Sequence, residues 1–339
     1  MTEPRIRTTV VGSYPVPDWL ASSPSETAVT DATRTVIAIQ EQAGIDLVCD
    51  GELYRFDVNH PETNGMIEFF TRPMTGIRND ATFDEVIAYR KQRGMGFRMR
   101  PPGVVDGPIG HGTLDLPAAC MQAVRLASKP LKFTLTGPHM LAKTLIDRHY
   151  GSVEKVAFAI ADVLAEQVAE CDAAVIQVDE ANLPGSPDEA PWAAEAINRV
   201  LRAVRATPAV HLCFGNYGGQ SIQKGTWDKL IGYLNSLQVD HVVMENAHRP
   251  PEELTAFRDL RPEIGMGLGV VDIKRTDVET PDSIARMIER AEKSIGPGRV
   301  RYIHPDCGFW MLKRNVADAK IRALVQGRDL FEGRAAVAA

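Results

Sequence analysis

A (β/α)8 barrel, an α/β fold in one domain, is the architecture the sequence predicts, and three observations point to it. Short apolar, β-branched runs alternate with amphipathic helical stretches, and eight such units follow one another along the chain. The length of 339 residues suits one barrel of this kind with an insertion. The ends of the apolar runs are crowded with polar and metal-competent side chains, as expected where eight parallel strands open on a common face.

Arg5–Tyr14 reads as the first strand, running into the turn Gly12-Ser13-Tyr14-Pro15. A helix follows over Ser25–Ala43, with Thr30 and Asp31 placed to cap its main part and Val36, Ile37 and Ile39 on its buried side. Gly44–Leu53 is the second strand and ends in acids. Residues 54–131 fit no single strand or helix. They hold a basic helix-like piece at Ile87–Arg93, the pair Pro101-Pro102, a short hairpin through Val104–Gly112 and a helix at Leu116–Ser128, together read as an insertion after strand 2. From residue 132 the pattern is regular, with strands at Phe133–Thr136, Ala174–Val178, Ala209–Cys213, His241–Met244, Ile264–Val271 and Val300–Ile303. Helical stretches near Val153–Glu170, Ala190–Arg205, Ser221–Ser236, Pro251–Leu260, Pro281–Ser294 and Leu312–Gln326 alternate with them.

A net charge of -6 and a pI near 5.8 argue against a nucleic-acid surface and for a small-molecule or protein partner. No apolar run approaches the roughly 20 residues that span a bilayer. The first residues, MTEPRIRTTVVGSYP, lack the basic region and apolar core of a signal peptide, and the expectation is a cytoplasmic protein. Five scattered cysteines do not make a disulfide framework, and Cys49, Cys120 and Cys171 lie in apolar segments suited to the core.

The other two cysteines sit at strand ends. His211 and Cys213, two apart on one strand, point to the same side and make half of a tetrahedral zinc site. Glu245 closes the sixth strand and Cys307 follows the eighth. One nitrogen, two sulfurs and one carboxylate oxygen then converge, a ligand set suited to zinc. Glu52 and Asp179 close strands two and four, where acids often cap the next helix.

These residues resemble a family. The motifs GSYP at 12–15, DGE at 50–52, VDE at 178–180, HLC at 211–213, Glu245 and PDCG at 305–308 resemble the catalytic barrel of cobalamin-independent methionine synthase, over about Thr8 to Leu330. The resemblance implies a zinc-dependent methyltransferase in which His211, Cys213, Glu245 and Cys307 hold zinc and the metal binds the homocysteine sulfur as a thiolate. It also implies that Ser13, Glu52 and Asp179 hold the amino acid part of homocysteine.

Three departures bear on the methyl donor. The family's long form has two barrels, and this chain has only the second. Where the family has a histidine after Asp-Ile, this chain reads Asp272-Ile273-Lys274. The tryptophan expected to stack on the pterin is replaced by the run Gly137-Pro138-His139-Met140. A folate amine needs a general acid to leave, whereas a methyl-corrinoid needs no proton. The chain is thus most similar to the single-barrel core methionine synthases, which implies a methyl-corrinoid or a corrinoid carrier protein as donor. Lys274 is either an acid or phosphate contact, or the partner of Asp272 or Glu245; His139 is either a catalyst or a hydrogen-bonded wall. The cluster Arg90, Lys91, Arg93, Arg98 and Arg100 grips an anionic donor or forms a solvated helix face. Two other readings stand beside the first. An epoxyalkane–coenzyme M transferase would use the same metal chemistry with arginines such as Arg55 and Arg98 facing a sulfonate. A zinc-binding accessory protein would have no turnover of its own.

Overall fold

The computed structural model describes residues 5–57, 65–91, 98–216 and 221–334. In chain order its strands are β1 (Arg7–Thr8), β2 (Val48–Cys49), β3 (Thr75–Arg78), β4 (Val104–Gly110), β5 (Leu131–Thr136) and β6 (Ile146–Asp147). They continue with β7 (Val175–Asp179), β8 (Thr207–Leu212), β9 (His241–Met244), β10 (Gly265–Val271) and β11 (Val300–Pro305). Eight of these form one parallel sheet in the order β1-β11-β10-β9-β8-β7-β5-β2. Its two edges meet, because Thr9 bridges Leu47 in parallel and the Leu47 N–H donates to the Thr8 carbonyl at 3.1 Å. The chain therefore forms the eight-stranded barrel that its pattern predicts.

Strands such as β7 and β10 are buried along their whole length, since helices cover one face and the barrel interior the other. Room inside is set by side-chain size. A Cβ at Gly269 on β10 would lie 2.1 Å from Asp306 Oδ1, so glycine there makes the space that a buried aspartate just beyond β11 occupies. The helices start and stop on local chemistry. The Ser25 hydroxyl accepts the Ala28 N–H at 3.0 Å at the start of Glu26–Ala43, and Gly44 ends that helix with φ at 91°. Ser152 and Thr280 cap Val153–Val168 and Pro281–Ile295 in the same way. No helix among the described residues is long and apolar enough to cross a membrane.

Several expectations are corrected. The first helix is capped by Ser25, not by Thr30 or Asp31; Thr30 bonds back to the Glu26 carbonyl and Asp31 pairs with Arg34 inside the helix. Of the first expected strand only Arg7–Thr8 forms a strand, with Thr9 adding the single bridge to Leu47. No hairpin lies within Val104–Gly112. Instead β4 runs antiparallel to β3 and parallel to β6, a second, three-stranded sheet. The insertion is shorter than 54–131, because the helix Leu116–Leu126 packs against Glu26–Ala43, β5 and Val153–Val168, which is the place of a barrel helix. The stretch Ser221–Ser236 is helical only from Trp227, where the indole donates to the Glu245 carbonyl at 3.1 Å. Pro251–Asp259 is a 3-10 helix. The basic helix-like piece is Phe83–Arg90, started by a capping box between Thr82 and Glu85. Arg93 lies outside the described residues, Arg90, Lys91 and Arg100 are exposed, and Arg98 is buried against Glu68.

Candidate metal centre

β8 delivers His211 and, one step past its end, Cys213; the turn after β11 delivers Cys307. The two thiol sulfurs stand 3.9 Å apart, and the donor atoms of all three residues lie within 4.8 Å of one another. His211 Nδ1 is 2.8 Å from the Val243 carbonyl, which can only accept, so Nδ1 carries the proton. That leaves Nε2 with a free lone pair, buried and without a hydrogen-bond partner among the described residues. A buried nitrogen lone pair aimed at two thiols is what a thiophilic ion requires, and an orienting hydrogen bond on the other ring nitrogen is the usual support. The Cys307 thiol is held well below the ordinary thiol range by its hydrogen bond with Cys213, then by the His211 imidazole and the Lys274 charge, against the effect of burial.

Glu245, the residue after β9, is fully buried but stands outside this trio. Its Oε1 pairs with Lys274 Nζ at 2.9 Å and its Oε2 accepts the Phe214 N–H at 2.7 Å. Burial works to lower the Lys274 pKa, but the Glu245 charge offsets it and holds the ammonium above its usual range. Sequence reasoning gave Asp306 no role. Its carboxylate accepts the N–H groups of Asn246, Ala247 and His248 at 2.9, 2.8 and 2.7 Å, which fixes the loop after Glu245. Burial and the nearby Glu245 push it up to about 7 against those three bonds. An acid directly before Cys307 in PDCG was the only signal for it.

A cavity of about 120 Å³ opens over the trio, and Ser13, Glu52, Asp179, His211, Cys213 and Cys307 all line it. Six of the nine residues singled out in the sequence therefore share one wall. Glu52 is the only described non-glycine residue with a positive φ, 59°, a strained backbone of the kind held at functional sites. Its Oε1 accepts the Thr134 hydroxyl at 2.5 Å and pairs with Arg55 at 3.3 Å. A Cβ at Gly12 would lie 2.2 Å from that oxygen, so only glycine fits beneath it. Asp179 accepts the Gln177 amide at 2.7 Å, and burial pushes it up to about 7 against the pull of His211. Ser13 accepts the Phe309 N–H through its carbonyl at 2.8 Å and so lies against the Cys307 turn. The residues missed from the sequence include Met66, which precedes the helix Glu68–Thr71, and Met140; Arg98 and Trp310, which also line the cavity, are residues the sequence offers for its mouth.

Glu245, Lys274 and His139 do not line the cavity. His139 is buried between Glu180, 3.1 Å from Nδ1, and Glu189, 2.7 Å from Nε2, with Lys143 on the far side of Glu189 and the Trp192 ring 5.1 Å away. Burial alone would lower its pKa, but the two carboxylates outweigh this and raise it from 6.5 to about 9. A raised folded pKa gives stability that is complete below the unfolded value and is lost as pH rises through the folded one. His139→Gln is expected to cost up to about 3 kcal/mol at pH 6. It should also flatten the fall in melting temperature expected of the parent between about pH 6.5 and 9. Parallel melting profiles for the two proteins would show that the pairs contribute nothing.

Barrel and site together define a protein that gathers soft metal donors beside a small acidic pocket at the carboxyl ends of parallel strands. Residues 6–328 match the family described as "Cobalamin-independent synthase, Catalytic domain". The chain is 30% identical to the methionine synthase of Thermococcus kodakarensis, over 97% of this chain and 94% of that protein. It is 28% identical to the methionine synthase of Sulfurisphaera tokodaii, over 96% and 93%. In fold it is similar to the B12-independent methionine synthase from Shewanella sp. W3-18-1 solved with selenomethionine, with a TM-score of 0.79 at 24% identity over 97% of this chain and 98% of that one. The chain belongs to the cobalamin-independent methionine synthase family, as a match to its catalytic domain. A family described as independent of cobalamin lends no support to the expected corrinoid donor or carrier.

Proposed function

We propose that this chain is a zinc-dependent methyltransferase that makes methionine from homocysteine. The observation that carries the reading is the trio His211, Cys213 and Cys307 on the wall of a cavity that also holds Ser13, Glu52 and Asp179. In this reading the trio holds the zinc, with Glu245 beside it. A free thiol is mostly protonated at neutral pH, and zinc, when bound, keeps a coordinated thiol deprotonated and nucleophilic. Glu52 and Asp179 receive the substrate's ammonium group, which cannot be buried without a carboxylate partner. Ser13, against the Cys307 turn, contributes to holding the amino acid part.

The charge balance favours this substrate over a sulfonate. Arg55 does not line the cavity and is spent on Glu52, Tyr54 and the Thr134 carbonyl. Arg98 does line it, but is paired with Glu68. Neither candidate acid stands free to protonate a leaving amine, since Lys274 is paired with Glu245 and His139 with two glutamates. A donor whose leaving group departs without a proton is therefore the better fit to these residues.

Calorimetry and metal analysis test the reading. The protein is expected to hold about one zinc and, when loaded, to release about one proton per homocysteine bound. Methyl-cobalamin and methyl-tetrahydrofolate assayed side by side then read the donor; turnover with the folate alone would return the acid role to Lys274 or His139. Equal homocysteine binding with and without zinc would sink the metal reading.

A further inference from the structure

Lys132 on β5 is fully buried, and the proposed reaction makes no use of it. Its register partners are Cys49 on β2 and Val175 on β7. Val175 clusters with Ala209, Val243 and Tyr302 from β8, β9 and β11, which only the barrel interior brings together. The Lys132 side chain therefore enters that interior, and its Nζ has no hydrogen-bond partner among the described residues. One step up the same face, Thr134 is paired with Gln177. The Thr134 hydroxyl donates to Glu52 Oε1, and the Gln177 amide donates to Asp179 Oδ1. Lys132 thus lies one layer beneath the groups that hold both acids, without lining the cavity itself.

A buried ammonium without a hydrogen bond persists only against opposite charge. Burial lowers the Lys132 pKa, and Cys49, Asp179 and Glu52 oppose this. The Cys49 thiol is pushed up to about 12 by burial and stays neutral, so the two carboxylates remain as counter-charges. The buried His241 and His304 also feel the ammonium; burial holds both neutral, and the Lys132 charge adds to that. Arg55 already pairs with Glu52, whereas Asp179 has no ion pair of its own among the described residues.

We propose that Lys132 is a specificity-determining residue: it balances Glu52 and Asp179 in the empty cavity and gives up its proton when a substrate ammonium takes that place. This rests on the reading that these carboxylates hold the amino group. An ammonium in the cavity meets the acids directly, whereas Lys132 stands a layer away. Two ammonium groups on one pair of carboxylates repel, and a buried lysine relieves this by becoming neutral. The Nζ–H bond that breaks leaves its electron pair on nitrogen, and the proton passes to solvent. A thiol without an ammonium group leaves Lys132 charged.

Norleucine, a methionine-sized amino acid without sulfur, tests this apart from any metal chemistry. Calorimetry at about pH 8 in buffers of different ionisation heat counts the protons; there Asp179, which burial pushes up to about 7, is already largely ionised. Parent protein is expected to release about one proton per norleucine, with affinity rising up to about tenfold per pH unit. Lys132→Met should release close to none and bind norleucine with little dependence on pH. Lys132→Gln should do the same, so one poorly folding variant does not decide the matter. A lysine that only fills the interior would leave the proton count unchanged on substitution. Binding by the parent without proton release, or release that persists in either variant, would overturn this inference alone. A parent that does not bind norleucine would overturn the amino-acid reading and this inference with it.

Discussion

Cys307→Ser protein is expected to fold and to come off a chelating column without zinc. The substitution keeps the size of the side chain while replacing a thiolate donor by a hydroxyl that stays protonated beside the metal. Loss of a hydrogen bond that merely supports a ligand lowers metal affinity by about 10–100-fold, so losing one of three converging donors should cost at least about a hundredfold. Cys213→Ser should behave alike, since its sulfur lies 3.9 Å from that of Cys307. Metal analysis after dialysis, with circular dichroism to show that the fold persists, reads the result. Zinc retained at the parent level would remove the substituted cysteine from the ligand set.

The second large effect lies on the substrate side. Asp179→Asn is expected to weaken homocysteine use by at least about tenfold, since truncating one partner of a buried charge pair costs roughly 2–5 kcal/mol. Zinc content should not change. Glu52→Gln should do the same, with an added loss of thermal stability because Arg55, buried, loses the carboxylate 3.3 Å away. Asp179 is the cleaner site, because its neighbour within bonding reach is the Gln177 amide and not a charge. A simple thiol without an ammonium group should respond much less to either change. Two variants with parent-level homocysteine use would show that these carboxylates do not hold the amino group, and a sulfonate-bearing thiol facing Arg98 would become the better candidate.

The strands of the barrel were legible because each is a short apolar run closed by polar residues, and His241–Met244 falls where its pattern places it. The trio was legible for the same reason: a histidine and a cysteine two apart on a strand must face one way, and the barrel brings the end of β11 around to meet them. Pairings between segments far apart in sequence were not. β4 takes its partners from residues 75–78 and 146–147, and no local periodicity reports such a choice. The cap at Ser25 was missed because Thr30 and Asp31, equally good caps by type, follow within the same helix. Glu245 shows what a motif leaves out: its ion pair with Lys274, 29 residues away, is a choice that no local pattern reports. The sequence left Arg98 between a grip on an anion and a solvated helix face, because the partner that buries it, Glu68, lies 30 residues earlier.

The trio also sets a schedule for synthesis. Cys213 and Cys307 are separated by 94 residues, so at about 5–20 residues per second the second thiol leaves the ribosome roughly 5–20 seconds after the first. Until then the nascent chain offers only the two donors of one strand, too few for a tight tetrahedral site. On the zinc reading, metal capture is thus a late event in the life of the chain, coupled to seating of its final strand, and a ribosome stalled before residue 307 would hold a polypeptide with little grip on zinc.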